Sequence, residues 1–250
     1  MVKSATRVMQ ILELVGQTKD GMKHQDISSA LKIPKGSLSP ILADLVSNDF
    51  LTLGEYDKRY RIGYKILVLA GRYVADFDII KASQPFIRNV IAETNESCGL
   101  AVITGQKVTI VWREETREPL KWDFKIGDQN PIYSSAHGKA ILAFYSQDEI
   151  DKYLSSVELV RITEKTITDK EAIKSDLERV RENGIAFSRE ENFIGITSIA
   201  VPVFNNLKQV VGSLGSPVPS QRLSPEKEKL ISKALKDAAG QLSKELGYFK

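Results

Sequence analysis

The sequence predicts an α+β protein: an N-terminal winged helix-turn-helix, a connector helix and a larger C-terminal α/β domain. Three observations support this fold class. Apolar residues follow helical spacing in three short segments near the N-terminus, two short apolar runs then flank a charged turn, and from about Ile79 strand patterns alternate with helix patterns. With 250 residues, the chain is long enough for one small and one medium domain.

Composition narrows the possible classes of protein. The chain is 42% hydrophobic and 27% charged, and its formal net charge of +3 is so mild that nucleic-acid binding would need a local basic patch. The single cysteine, Cys98, excludes an internal disulfide, and two histidines cannot build a histidine-rich metal site, so we expect no metal or cofactor. Without a signal peptide or an apolar run of about 20 residues, a cytoplasmic protein with no membrane partner is expected.

Residues 1–63 are predicted to form the first domain. Val8, Ile11 and Val15 lie on one face of a first helix, HQDISSALKI forms a second, and SPILADLVSN forms a third. Three short helices with a tight break between the second and third indicate a helix-turn-helix. Because proline disrupts a helix interior, we expect the third helix to begin near Ser37, which places Pro40 in its first turn.

A hairpin and a connector follow. The apolar runs 50–53 and 60–62 flank GEYDKR, and this pattern predicts a hairpin, which would be the wing. From Tyr64 to Val74 the apolar positions return to helical spacing, and 76–78 interrupt them. We therefore expect a connector helix over 64–78.

The first domain offers a set of candidate contacts with double-stranded operator DNA. A recognition helix enters the major groove N-terminus first, so short polar and cationic residues near its start are candidates, and cations on a wing can reach the backbone or the minor groove. The predicted DNA-binding residues are Lys32, Lys35, Ser37, Ser39, Lys58, Arg59 and Arg61. For Lys58 and Arg59 the alternative is an ordinary solvated hairpin tip.

Residues 79–250 are predicted to form the second domain, a sheet covered by helices. QPFIRNVIAE indicates a helix, GLAVIT and KVTIVWRE a hairpin, and LKWDFKIG a third strand. Further helices are expected from Ser134 and after caps at Ser146 and Thr168. Strands are expected in GIAFS, SIAVPVF and QVVGSL, and a last amphipathic helix begins at 224–225.

Three motifs resemble those of isocitrate-lyase-regulator (IclR) type transcription regulators: IPKGSLSPILADLVSNDFL with KRYRIG, YSSAHGKAILAF, and GIAFSREENFIGITSIAVPVF. Together they span nearly the whole chain. The chain departs from the family pattern at Gly36, Ser37, Ser39 and Pro40, where serine, threonine, histidine and arginine are more common. The resemblance implies a DNA-binding regulator with a GAF-like effector-binding domain that assembles as a homodimer or homotetramer.

The effector site is expected at the predicted helix start SSAHG, where small residues leave backbone N–H groups free to approach an anion. The resemblance adds two strand serines and the end of VVGSLGSP. The predicted effector-binding residues are Ser134, Ser135, Ala136, His137, Gly138, Ser188, Ser198 and Gly215. Relatives that bind small oxo-acids tend to carry aspartate, cysteine and two serines at positions 188, 198, 215 and 217. We therefore expect a small carboxylate-like effector of another kind, an aromatic or longer-chain acid.

Several alternatives stay open at this point. His137 contacts the effector or is satisfied by a neighbour, and Trp112 and Trp122 wall an aromatic pocket or belong to the core. The adjacent pair Glu190 and Glu191 face opposite ways on a strand and are expected to be solvated or salt-bridged. Cys98 lacks a nearby histidine in sequence, so we expect no enzyme. A C-terminal domain that only oligomerises is the remaining rival interpretation.

Overall fold

The computed structural model describes residues 3–75 and 78–248, with side chains described for 3–70 and 79–248. The chain divides into two compact units, Met1–Phe77 and Asp78–Lys250. Among the described residues, no helix is both long and apolar enough to cross a membrane.

The first unit is a helix-turn-helix with a three-stranded antiparallel sheet. Its elements are α1 (Lys3–Gly16), β1 (Met22–Lys23), α2 (His24–Leu31), α3 (Lys35–Ser47), β2 (Leu51–Leu53), β3 (Arg59–Ile62) and α4 (Tyr64–Ala75). The strand order is β1-β3-β2, and Thr52 pairs with Arg61. Ile11, Ile27 and Leu42 lie in its buried core. The predicted winged helix-turn-helix is therefore present.

Helix α3 begins earlier than Pro40 suggested. Pro34 is the N-cap, and its carbonyl accepts the N–H groups of Ser37 at 2.9 Å and Leu38 at 3.0 Å. Pro40 is thus the sixth helical residue, and the prediction of a start near Ser37 is wrong. The helix tolerates Pro40 because only the bond to the Gly36 carbonyl is lost, at an exposed position where water can replace it. The exposed start of α3 is longer as a result.

The second unit has a six-stranded antiparallel sheet in the order β6-β5-β4-β9-β8-β7. Its elements are α5 (Asp78–Thr94), β4 (Cys98–Thr104), β5 (Lys107–Glu114), β6 (Gln129–Pro131), α6 (Ala136–Leu142), α7 (Gln147–Ser156), α8 (Lys170–Asn183), β7 (Ala186–Arg189), β8 (Ile196–Phe204), β9 (Val210–Pro219) and α9 (Pro225–Glu245). A Cβ at Gly212 would approach Ile79 of α5, whereas one at Gly215 would meet His137 of α6. Helices therefore cover both faces of the sheet, and the α+β fold class is confirmed.

Two local predictions in this unit are wrong. LKWDFKIG contains no strand: residues 115–128 run irregularly, and the third strand is β6, in which Pro131 pairs with Lys107. The segment turns back on itself before it reaches β5, since the Asp128 side chain accepts the Lys125 N–H at 2.7 Å and only the Gly127 N–H and the Asp128 carbonyl bond Ile110 of β5 among the described residues. Helix α8 is capped by Asp169 rather than Thr168, because its carboxylate accepts the Ala172 N–H at 2.8 Å.

Helix α4, Tyr64–Ala75, lies within the predicted connector 64–78, whose last residue, Asp78, begins α5 instead. Its expected interruption at Asp76 and Phe77 lies outside the described residues. The finer division into 1–63, 64–78 and 79–250 stays a prediction.

Candidate functional site

The predicted DNA contacts of the helix-turn-helix lie on one exposed stretch. Lys32 caps the end of α2 in a left-handed conformation, with φ 53°, and Lys35, Ser37 and Ser39 are exposed in the first turns of α3. Ser39 is the most constrained of them, because its hydroxyl donates to the Lys35 carbonyl and lies 3.0 Å from Nε2 of His24. Lys35 and Ser37 are thus the freer side chains of this stretch.

The three predicted wing cations differ in their partners. Arg59 donates to the Gly21 carbonyl at 2.8 Å, and Arg61 forms an ion pair with Asp57 that, with the backbone N–H of Arg59, lowers the pKa of that carboxyl to about 2. Lys58, with φ 53°, is exposed on the turn and forms no ion pair with any described residue. Two of the three cations therefore already have protein partners.

Sequence reasoning missed Tyr56, which lies on the same turn. Its side chain is 98% exposed, more than any other large hydrophobic residue of the described chain. The only signal in the sequence was an aromatic residue inside a charged hairpin turn.

In the second unit, a small cavity of about 50 Å³ lies between the start of α6, strands β7 to β9 and an aromatic wall. Five of the eight predicted effector-binding residues line it: Ser135, Ala136, His137, Ser188 and Ser198. The other three, Ser134, Gly138 and Gly215, do not line it but pack behind its walls. The structure thus brings the helix start and the two strand serines together.

The start of α6 is held tightly against the preceding backbone. Ser135 is the N-cap, and its hydroxyl accepts the Gly138 N–H at 3.0 Å. A Cβ at Gly138 would lie 2.3 Å from the Ile132 carbonyl oxygen, so only glycine fits there. The N–H groups of Ala136 and His137 lie in the first turn, where a helix offers no internal partner. Both residues line the cavity.

The serines of the cavity have different hydrogen-bonding capacity. The Ser188 hydroxyl donates to the Ser134 carbonyl at 2.7 Å, so its one proton is already used. Ser134 in turn donates to Oδ1 of Asn192 at 2.5 Å, which leaves the Asn192 amide NH₂ as a donor. The half-buried Ser198 hydroxyl has no hydrogen bond to any described residue. Asn192 was not predicted, because nothing marks it apart from its place beside the acidic pair.

His137 has a protein partner as well as a place in the cavity wall. Its Nδ1 lies 2.8 Å from the Ser213 hydroxyl, and the ring packs so closely on Gly215 that a Cβ there would lie 2.8 Å from Cε1. Burial lowers the pKa of His137 to about 4. The ring is therefore neutral near pH 7 and cannot attract an anion by charge.

An aromatic pair closes one side of the cavity. The rings of Trp122 and Phe193 have centroids 4.3 Å apart and planes tilted by 39°. Phe124 lies in the same wall, whereas Trp112, the other tryptophan, does not line the cavity. Trp122 therefore fits both interpretations, because it lines the cavity and also packs against buried core residues such as Ile110.

The adjacent residues Glu190 and Glu191 form salt bridges with different lysines. Glu191 is buried and its carboxylate lies 2.5 Å from Nζ of the buried Lys139, which also binds Asp176 at 2.9 Å. Burial raises the pKa of Glu191 despite Lys139. Glu190 instead pairs with Lys165 at 3.2 Å. The predicted salt-bridged state is confirmed, and the two carboxylates do not form a general acid–base pair.

Cys98 is fully buried, and burial raises the pKa of its thiol to about 12. It is therefore a packed thiol with no nucleophilic character at neutral pH. Among the described residues, no group of three or more histidine, cysteine, aspartate or glutamate side chains could hold a metal ion.

Comparison with known proteins identifies both units. Residues 4–53 match the family model of the IclR helix-turn-helix domain, and residues 71–244 match that of the C-terminal domain of the bacterial transcriptional regulator IclR. The chain is 28% identical over 247 residues to the HTH-type transcriptional regulator KdgR of Escherichia coli K12, covering 99% of this chain and 94% of KdgR.

Solved structures agree with these matches. The crystal structure of the Thermotoga maritima IclR has a TM-score of 0.83 and 26% identity, and the match covers 99% of this chain and 100% of that one. An IclR homolog from Microbacterium hydrocarbonoxydans, crystallised with 4-hydroxybenzoate, shares the fold with a TM-score of 0.83 at 22% identity, over 98% and 99% of the two chains.

Proposed function

Because the chain belongs to the IclR family of bacterial transcriptional regulators, we propose that a carboxylic acid bound in the cavity at the start of α6 controls its DNA binding. The protein is a DNA-binding transcriptional regulator controlled by a small-molecule effector. The proposal concerns the chemical class of that effector, its binding site and the residues that contact DNA.

The observation that carries the proposal is the set of free donors that face an aromatic wall. The Ser198 hydroxyl, the Asn192 amide and the first N–H groups of α6 all border the cavity, and none of the residues that line it is an aspartate or glutamate. Hydrogen-bond donors without a nearby negative charge can bind the carboxylate of an effector. The rings of Trp122 and Phe193 can pack against a flat apolar group of the same molecule. The 4-hydroxybenzoate complex of the Microbacterium relative supports an aromatic acid by analogy.

Because the cavity is small, effector binding requires a change in the structure of its wall. About 50 Å³ is far below the roughly 300 Å³ at the lower end of ordinary small-molecule sites. An aromatic acid therefore enters only if part of the wall moves. Phe193 lies in the turn between β7 and β8, on chain that no strand ladder fixes, and it is the exposed ring of the wall. Effector binding is thus coupled to a displacement of this turn.

A thermal-shift comparison tests the effector class, because a ligand that binds only the folded state raises its melting temperature. Benzoate and 4-hydroxybenzoate should raise the melting temperature with concentration, and their uncharged partners benzamide and 4-hydroxybenzyl alcohol should not. Ser198→Phe, which fills the cavity, should abolish the shift. Ser155→Phe, at an exposed position on α7, is the matched control. Equal shifts for acids and uncharged partners would overturn the proposal.

On the DNA side, Lys35 and Ser37 are proposed to contact base edges, Lys32 a phosphate, and Lys58 the DNA backbone beside the wing. Ser39, Arg59 and Arg61 would reach DNA only after leaving the internal partners described above. We therefore propose that these three side chains hold the DNA-facing surface in place through their internal contacts and make few direct contacts with DNA.

We also propose a cytoplasmic homodimer or homotetramer with no enzymatic role, and this is supported by the similarity to KdgR, which is itself a transcriptional regulator. On α4, Leu67 is 75% exposed, Val68 39% and Leu69 44%. Such an apolar row favours burial against a second copy. The predicted contributions of Tyr73 and Val74 fall outside the described side chains. Light scattering at micromolar concentration should give at least a dimer mass, which Leu67→Glu should reduce.

A further inference from the structure

The irregular segment that carries Trp122 is fastened to the rest of the second unit at Leu120. The Leu120 carbonyl accepts a hydrogen bond from Nη1 of Arg222 at 2.8 Å, two residues before Trp122. The Leu120 side chain is 62% exposed, so packing of that side chain does not fix the backbone there. The guanidinium of Arg222 binds the backbone at this point, between the buried Thr116 and the buried Phe124, which hold the segment on either side.

Arg222 is itself held in one orientation. Its Nε and Nη2 atoms donate to the two carboxylate oxygens of Glu96 at 2.9 and 2.7 Å, and Glu96 is 1% exposed. Lys227 also lies 3.3 Å from the same carboxylate. The hydrogen bond to Glu96 is the main reason why the pKa of Arg222 is raised. When two nitrogens of a planar guanidinium are bound, the direction of the third nitrogen is fixed as well. In Arg222 this third nitrogen, Nη1, is directed at the Leu120 carbonyl.

We propose that Arg222 is a positioning residue for the effector cavity: through the Leu120 carbonyl it holds Trp122 against Phe193 as the aromatic wall. The pair with the buried Glu96 makes this anchor rigid, and no residue of the pair lines the cavity itself. The consequence for effector affinity rests on the proposed function, whereas the placement of Trp122 does not.

Other contacts of the segment define the competing explanation. The buried Thr116 donates its hydroxyl to the Asn95 carbonyl at 2.7 Å, and Phe124, two residues after Trp122, is 6% exposed. If these contacts and the packing of the Trp122 ring were sufficient to fix the segment, loss of the Arg222 bond would leave Trp122 in place.

Trp122 can report on its own position. The chain has two tryptophans, and Nε1 of Trp112 has no hydrogen-bond partner among the described residues, so Trp112→Phe loses no such bond and leaves Trp122 as the only indole. In this background Arg222→Lys keeps a cation beside Glu96 but cannot bind both Glu96 oxygens and the Leu120 carbonyl. Arg189→Lys is the matched control, because Arg189 binds Glu228 through two nitrogens at 2.7 and 2.9 Å and has no hydrogen bond or ion pair to the segment 115–128.

The measurement is acrylamide quenching of Trp122 fluorescence in the full-length protein without effector. Arg222→Lys should raise the quenching constant about twofold, as expected for a locally released segment, while Arg189→Lys stays at the parent value. If Arg222→Lys does not fold by circular dichroism, the double variant Glu96→Gln/Arg222→Met, which removes both charges of the pair, should give the same rise. Parent-like quenching in the folded variant would overturn the proposal.

A second measurement separates this proposal from the proposed effector class. With 4-hydroxybenzoate as the probe, the thermal shift of the parent should be weakened by Arg222→Lys and kept by Arg189→Lys. Should 4-hydroxybenzoate and benzoate shift neither, the effector class is wrong, and the quenching result alone still decides the role of Arg222.

Discussion

Phe193 packs against Trp122 and is the more exposed residue of the pair, at 38%. The two rings come from segments 71 residues apart in the chain, one before α6 and one after β7. Phe193 is followed by Ile194, which is 80% exposed, and by Gly195 with φ 80°. The outer ring of the pair thus lies in an exposed turn, whereas the segment of the inner ring is anchored through Leu120.

Removal of the outer ring should widen the cavity mouth. Phe193→Ala is expected to let larger acids bind, because the remaining wall no longer has to move as far. The check is the ratio of thermal shifts for 2-naphthoate and benzoate, which should rise in Phe193→Ala and stay unchanged in Ile194→Ala. An unchanged ratio in Phe193→Ala would mean that the ring does not limit access.

The buried ion pair of α6 should be essential for stability. Lys139→Met keeps the volume but leaves the buried Glu191 without its cation, which should lower the free energy of unfolding by about 3–5 kcal/mol. Urea unfolding measures this change. Lys165→Met, which breaks the exposed pair with Glu190, should have a far smaller effect. Adding Glu191→Gln to Lys139→Met should recover part of the loss, since no buried charge is then left unpaired, and a double variant no more stable than Lys139→Met would contradict this explanation.

His137 should make the stability depend on pH in one direction. Its pKa is about 4 when folded and near the model-peptide value of about 6.5 when unfolded, so the unfolded state binds more protons between these values. Its contribution is complete above about pH 6.5 and is lost as the pH falls toward 4. The loss is at most about 3 kcal/mol, and less because the ring is partly exposed.

The matched variant for this pH dependence is His137→Gln, which cannot take up a proton. Chemical unfolding at several pH values should give a shallower decline from pH 6.5 to pH 4 in His137→Gln than in the parent. Identical slopes would show that the histidine ring is not protected in the folded state.

DNA binding should separate the roles of the reading helix and the wing. Lys35→Ala and Ser37→Ala should weaken binding to operator DNA more than binding to random DNA. Lys58→Ala should weaken both equally and flatten the salt dependence by about one unit, as expected for one lost phosphate contact. Fluorescence anisotropy over a range of salt concentrations measures both effects. Equal losses on both kinds of DNA for all three variants would refute this assignment of roles.

Much of the fold was predictable because periodicity and caps are local signals. The strands β4, β5 and β7 to β9, the cap at Ser146 and the proline start of α9 follow directly from residues near each other in sequence. The wrong predictions concern segments whose structure depends on tertiary contacts, which a rule about neighbouring residues does not include. Pro40 was placed in a first turn because proline avoids helix interiors, but the Pro34 carbonyl starts α3 earlier. LKWDFKIG alternates like a strand, yet Arg222 and Asp128 bind its backbone instead.

The candidate site was predictable only in part, for a related physical reason. The small residues at the start of α6 and the two strand serines belong to sequence motifs, and for this reason they were predicted to lie in the site. Asn192, the pairing of Lys139 with Glu191 and the anchor from Glu96 to Arg222 depend on residues up to 126 positions apart, and no local pattern encodes them. The partners of Arg59 and Arg61 were missed similarly, since a charged hairpin does not show which cations are already paired.

The most direct test of the account is whether occupancy of the cavity changes operator binding. The parent, Ser198→Phe and the control Ser155→Phe are titrated onto a labelled DNA fragment from the region upstream of the gene, with and without 4-hydroxybenzoate. The account predicts that the acid changes the operator affinity of the parent and the control at least about fivefold, in the range of ordinary allosteric coupling, and leaves Ser198→Phe unchanged at parent-like apo affinity. A response of Ser198→Phe equal to that of the parent would contradict it.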